Sequence, residues 1–379
     1  MTVRILAESS PGEVRVAVTR NGRLEEYALW RPGLPDGVGD LHRGRVTARV
    51  PAMAGGFVSI AGAEGFLPDS QGGAHATEGE SIAVRVTRAA QGGKGPRLTA
   101  LLDEAEHALA GQAGPGPPLL LRRGQGPLLE FAGLYPEAPV IVNEPGLAAR
   151  LRPTLADRLR VEAAVLDESL AGEMDELAEP RAVLPGGAML HIHPTPALVA
   201  IDVDGGSTTA LRDGKTAAQI AVNRALLPEL ARQIRLRNLS GAILVDFAGL
   251  SPRRRASLGP ALADALADDR LAPRLLGFTA LGLAEIVRPR IRPPLHELLA
   301  GPHAAGLAAL RAVAAEIAAD PARLPALIAA PAVVTALEAD PVALPDLARR
   351  AGRPLILRSD PKFAPHGWRM EGEHEPSGR

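Results

Sequence analysis

Leu198-Val199-Ala200-Ile201-Asp202-Val203-Asp204-Gly205-Gly206 is an apolar run that stops abruptly at acids and glycines. A second run, Ala242-Ile243-Leu244-Val245-Asp246-Phe247, carries one acid near its end. Short apolar runs bounded by turn residues read as buried strands. Between them, residues 216–236 place Ile220, Leu227, Ala231 and Ile234 at helical spacing. The stretch therefore predicts strand, helix, strand, with a carboxylate at the end of each strand. Acids so placed suit a hard divalent cation, which takes oxygen ligands. For a single acid, a solvated strand end is the plainer reading; two acids on neighbouring strands favour a metal site.

Composition bounds what surrounds this centre. A chain of 379 residues predicts two or three units at about 150 residues each. Aromatics make up only 3%, so the cores must be built from Leu, Val, Ile and Ala. The net charge of −1 argues against a protein that coats nucleic acid indiscriminately. Lysine occurs only at 94, 215 and 362, so any phosphate contact must come largely from local Arg clusters. The absence of cysteine excludes disulfides and thiolate zinc or iron–sulfur sites. The Met1–Leu6 start lacks the apolar core of a signal peptide, and no apolar run approaches the ~20 residues of a membrane span. A cytoplasmic location with no membrane partner is the expectation.

Outward from the centre, residues 1–35 alternate as a hairpin, with turns at Ser9-Ser10-Pro11-Gly12 and Asn21-Gly22. Residues 36–100 hold short β runs at close spacing, the pattern of a five-stranded, oligonucleotide-binding-type barrel. Phe57 and Phe66 on it could be core residues or could stack bases. Lys94 and Arg97, on a glycine-rich segment, suit phosphate contact. Residues 101–116 read as a short helical piece and a Gly/Pro linker. Residues 117–180 read as strand, helix, strand, helix, beginning with Leu119-Leu120-Leu121. His191 and His193 share a strand face, where a solvated pair is the plain reading because no third ligand is adjacent in sequence. Arg232, Arg235 and Arg237 on the central helix, Arg253 to Arg255, and the alternating Arg288, Arg290 and Arg292 are candidate phosphate contacts. From 299 to 370 Ala-rich helices and a final strand predict a small α/β unit, and 371–379 a disordered polar tail.

The ordered succession of motifs resembles the ribonuclease E/G family. The stretches that carry the resemblance are Leu184-Pro185-Gly186-Gly187, Ala200 to Gly206, Asn223, Arg232 to Leu239, Ile243 to Phe247 and Arg288 to Arg292. The Phe57/Phe66 barrel, Lys94 to Thr99, Ala330 to Val334 and Arg358-Ser359-Asp360-Pro361 extend it over most of the chain. The resemblance implies a multidomain α/β fold. A ribonuclease-H-like subdomain (1–35 with 117–180) is interrupted by the RNA-binding barrel (36–100). A catalytic subdomain like that of deoxyribonuclease I (181–298) and the small terminal domain follow. It further implies a magnesium-dependent endoribonuclease, with manganese as a substitute, that cuts single-stranded RNA in processing or decay. Asp202 and Asp246 fall on the family's metal-binding, catalytic aspartates. Phe57, Phe66, Lys94, Arg97, Arg288, Arg290 and Arg292 are the expected RNA contacts.

Three departures from the family pattern stand out. Asp204 occupies a position where the family commonly has Asn, adding a charge that could modulate metal or substrate binding. The family's zinc-linking cysteine pair has no counterpart, so a homodimer, if formed, has no zinc link. Residues 101–116 stand where the family carries a lobe that senses a 5′-monophosphate, which implies entry at internal sites. Two rival readings are an RNA-binding protein with an impaired nuclease centre and a hydrolase of a non-RNA phosphate; the second leaves the aromatic barrel unexplained.

Overall fold

The computed structural model describes residues 2–205, 215–320 and 325–371. The expected tail lies outside them apart from residue 371, and so does Gly206. The chain forms two compact units, each assembled from separated segments: residues up to 35, 127–178 and from 295 onward in one, 36–126 and 179–294 in the other.

The first unit begins with a three-stranded meander, Val3–Ser10, Glu13–Arg20 and Arg23–Trp30. Its second turn is Asn21-Gly22, both at positive φ (52° and 84°), the conformation that a two-residue hairpin loop needs to match strand twist. Val140–Val142 and Leu159–Val161 add in parallel on the Val3–Ser10 side, giving a five-stranded sheet. Ile5, Val16, Val18, Val140 and Val142 pack there with Phe131 and Leu147 from the helices Gly126–Leu134 and Pro145–Leu155. The C-terminal segment has its own three-stranded sheet and apolar core. It joins the same unit rather than standing apart as the sequence suggests. A Cβ on Gly12 would lie 2.6 Å from that of Ala343, and Arg311 pairs with Glu13 at 3.1 Å.

In the second unit, Gly55–Ile60, Ala63–Pro68, Arg97–Thr99, Ser81–Arg88 and Leu41–Val50 form a sheet closed by pairing of its first and last strands. This is a five-stranded barrel of the oligonucleotide-binding type, with Val46, Val58, Leu67, Val84, Val86 and Leu98 inside. One expectation is corrected here. Leu119–Arg122 pairs with Leu41–Val50 of the barrel, so this strand belongs to the barrel sheet and the boundary falls at 126 rather than 117. The short helical piece read within residues 101–116 corresponds to the helix Glu104–Ala113. Asp103 and Glu106 form a reciprocal capping box at its start, and buried Glu106 pairs with Arg85 and Arg122 of the barrel.

The rest of the second unit is a six-stranded sheet in the order Arg181–Val183, Met189–Pro194, Val199–Asp204, Gly241–Asp246, Ala284–Arg288, Arg274–Phe278. Only Val199–Asp204 and Gly241–Asp246 run parallel, because the helix Lys215–Leu236 connects them. Leu190, Ile192, Ile201, Val203, Ile243 and Val245 turn inward onto Leu227, Ile234 and Leu262 of the covering helices. Strand alternation puts the residues between them on the opposite face.

Candidate functional site

That opposite face carries a row of polar side chains. Asp202 and Asp246 are direct partners in the parallel ladder. His191 is the partner of Asp202 on the other side, and Arg181 is the partner of His191. Directly opposed residues share a face, so the row Arg181, His191, Asp202, Asp246 crosses four strands. Asp202 is exposed and His191 half-buried, whereas His193 lies two pairs further on, exposed and opposite Ala200. The two histidines are therefore not an equivalent solvated pair: only His191 stands in register with an acid. Asp204 lies two residues beyond Asp202, exposed, on the same face.

The loop beyond Asp246 is held from behind. The Asn223 side-chain amide donates to the Ala248 carbonyl at 3.2 Å and to the Gln219 carbonyl at 2.8 Å. Gly249 follows at φ +66°, where a Cβ would lie 2.8 Å from Gln219 Nε2. The chain then enters Pro252–Arg255, and Arg255 Nη1 comes within 2.5 Å of Asp246 Oδ1. This contact is an ion pair that misses hydrogen-bond alignment, leaving Asp246 Oδ1 buried without a hydrogen-bond donor.

Two opposed carboxylates suit a hard divalent cation that fills its remaining positions with water and substrate oxygens. Among the described residues no group of three or more His, Asp or Glu is arranged to hold a metal ion.

A second row crosses the barrel's outer face. Phe57 pairs with Phe66, and Phe66 pairs with Arg97. The two rings meet edge to face with centroids 5.5 Å apart, and the Arg97 guanidinium lies 5.9 Å from the Phe66 centroid. Both rings are half-buried beside inward-facing Val58 and Leu67, so they belong to the wall and not to the core. Gly55 makes room for this arrangement, since a Cβ there would sit 2.4 Å from Phe66 Cζ. Lys94 is exposed in the turn before Arg97.

The arginine-rich segments divide by environment. Arg288 is 3% exposed, donating from Nε to Asp269 at 2.6 Å and from Nη1 to Asn238 at 2.7 Å. It is a buried cross-link and not a phosphate contact. Arg292 is engaged by Asp36, and Arg290 is half-buried. On the central helix Arg232 and Arg237 are also buried, the first paired with Glu229 and the second bonded to the carbonyls of Glu179 and Arg181. These are structural positions. The pairing of Arg255 with Asp246 and the register of His191 are the features that residue spacing does not disclose.

The Ribonuclease E/G family model matches residues 148–291, which include the sheet that carries both aspartates. Ribonuclease G of Haemophilus influenzae is 25% identical over 401 residues, covering 78% of this chain and 81% of that relative. Ribonuclease G of Escherichia coli is 24% identical over 402 residues, with 79% and 82% covered. Ribonuclease E of Nostoc sp. is 34% identical over 150 residues, which are 39% of this chain and 20% of that relative.

Proposed function

Because the chain belongs to the ribonuclease E/G family and is an endoribonuclease acting in RNA processing, we propose that it hydrolyses single-stranded RNA at the Asp202–Asp246 pair with the help of magnesium. The observation that carries this reading is the register of the two aspartates, opposed on the one parallel strand pair of their sheet. Asp202 and Asp246 would hold the ion, and manganese has the same preference for oxygen ligands. Bound there, a magnesium ion supplies Lewis acidity to the phosphoryl group and lowers the pKa of the attacking water. The products are a 5′-phosphate and a 3′-hydroxyl.

The remaining work falls to the chain's own groups. Phe57 and Phe66 present π-faces on which successive bases stack, a contact tolerant of sequence. Arg97, Lys94 and Arg290 offer charge to the backbone. Arg255 neutralises Asp246 and stands where a scissile phosphate would need a cation. Asp204 adds negative charge on the metal's side, strengthening cation binding and weakening the approach of phosphate. We read the five-stranded sheet of the first unit as the ribonuclease-H-like half and the sheet bearing Asp202 as the deoxyribonuclease-I-like half. The strand order of the first, with its meander followed by two parallel strands, supports that reading.

The single ten-residue helix Glu104–Ala113 supports a further element: entry at internal sites without sensing of a 5′-monophosphate. One experiment tests both the aspartate pair and internal entry. A fluorescent AU-rich single strand is incubated with magnesium and wild type, Asp202→Asn or Asp246→Asn, using 5′-monophosphorylated and 5′-triphosphorylated forms in parallel. Wild type cuts both at comparable rates, and each variant loses at least about 100-fold in rate while binding RNA. Cleavage that survives both substitutions refutes the metal pair, and a strong monophosphate preference refutes internal entry. RNA binding without aspartate-dependent cleavage would favour an impaired enzyme that only binds.

A further inference from the structure

The barrel's aromatic row does not end at Arg97. Across the next strand the register partner of Arg97 is Arg88, placed there by a bulge between Val86 and Arg88. Thr87 fixes the bulge by donating its hydroxyl to the Arg97 carbonyl at 3.1 Å. The next backbone amide, Ala89, donates to the Ile291 carbonyl at 2.9 Å and so draws the segment carrying Arg290 alongside Arg88. The row thus runs Phe57, Phe66, Arg97, Arg88 and continues into Arg290.

We propose that Arg88, Arg97 and Arg290 form a subsite for one internal backbone phosphate of single-stranded RNA, immediately beside the Phe66 stacking face. This rests on the reading of the barrel as the RNA-binding face and adds Arg88, at the centre of the cluster, as a contact.

The physical case begins with what Arg88 lacks. Neither Arg88 nor Arg97 pairs with an acid among the described residues, and Arg88 Nε is buried without a hydrogen-bond partner. Desolvation, together with repulsion from Arg97 and Arg290, pushes the Arg88 guanidinium below the ordinary arginine range. A buried guanidinium donor left unsatisfied beside a like charge is a cost to the folded chain, which an anion at Arg88 removes. Arg288 and Arg292 are held by Asp269 and Asp36 and are not part of the cluster. Guanidinium groups match phosphate oxygens as paired donors, so the ligand class follows from the donor set. The adjoining rings select a phosphate that carries bases on its neighbours.

The test is equilibrium binding of a 5′-hydroxyl oligouridine to the full chain in EDTA, read by fluorescence anisotropy over a range of salt. Arg88→Gln is expected to weaken binding roughly 10-fold. It should also reduce the slope of log K against log salt by about 0.7, the value for one phosphate on a single strand. Replacing single linkages by neutral methylphosphonate should identify one position at which wild type loses the same factor and the Gln variant loses nothing. Unchanged affinity and slope in Arg88→Gln overturn the subsite, and so does a loss seen only with 5′-phosphorylated RNA, which would mark an end-binding site. If Arg88→Gln fails to fold, the methylphosphonate scan on wild type decides: no sensitive linkage overturns the proposal. Phe66→Ala, run alongside, separates the two levels. If it weakens binding and Arg88→Gln does not, only the subsite falls; if neither has an effect, the barrel reading falls with it.

Discussion

Arg288→Ala should destabilise the second unit severely and leave RNA binding per folded molecule intact. Arg288 and Asp269 side chains are each 3% exposed, with Nε to Oδ2 at 2.6 Å. Arg288 also donates to Asn238 Oδ1 at 2.7 Å and to the Leu239 carbonyl at 3.1 Å, tying the end of its strand to the exit of the central helix. Truncation strands the Asp269 carboxylate and an amide oxygen in a dry environment. Removing one partner of such a pair costs about 3–5 kcal/mol. For a unit of this size that lowers the melting temperature by roughly 6–20 °C. The transition should be followed by circular dichroism, because Trp30 and Trp368 both belong to the first unit and report poorly on the second. Removing both charges with Arg288→Met and Asp269→Leu should recover much of the loss, since no charge is then left uncompensated. Arg290→Ala should instead register in RNA binding, with a salt slope smaller by about 0.7. If Arg288→Ala melts like wild type and lowers the salt slope, the buried-bridge reasoning is wrong and Arg288 is an RNA contact after all.

Two further outcomes follow from ion pairs around the two rows. Arg255→Gln frees Asp246, whose side chain is 46% exposed, from a pair worth about 1 kcal/mol at most. Manganese affinity, measured by calorimetry without RNA, should therefore rise up to about fivefold, while an unchanged or weaker affinity would show that Arg255 supports the site instead of competing for it. Glu106→Gln removes the carboxylate shared by Arg85 and Arg122 from a residue only 1% exposed. A loss of about 2 kcal/mol is expected, visible as faster hydrogen exchange in Glu104–Ala113 and Leu119–Arg122. Unaltered exchange there would show that the helix is held by something other than this bridge.

The two aspartate strands, the helix between them and the barrel were legible because each rests on a local pattern: period-two alternation, helical spacing or turn residues. The fate of the arginines was not. Arg288, Arg290 and Arg292 alternate identically in sequence, yet Asp269 buries one, Asp36 ties another, and the third faces Arg88. Their partners lie 19 or more residues away, so spacing alone cannot sort them. Leu119–Arg122 was misassigned for a related reason. Its apolar run identifies a strand, but which sheet it joins depends on Leu41–Val50 having a free edge. The helical piece within residues 101–116 was legible, and the capping box at Asp103 and Glu106 fixes where its helix starts.

Both rows depend on cross-strand register rather than on loops. A one-residue slip of Val199–Asp204 against its neighbours would turn Asp202 and Asp204 into the core and bring Ile201 and Val203 to the surface. The apolar face therefore enforces the position of the acids: burying Ile201, Val203, Ile243 and Val245 together is what sets Asp202 opposite Asp246. The barrel applies the same logic with one difference. Its row reaches Arg88 only because the bulge after Val86 takes up one residue, letting Val86 face inward while Arg88 still opposes Arg97. Without the bulge, regular alternation would carry residue 87, and not Arg88, to the outer face opposite Arg97. The bulge thus converts a core-filling strand into one that also presents charge, and Thr87, whose hydroxyl holds it, contributes to the row without touching a ligand.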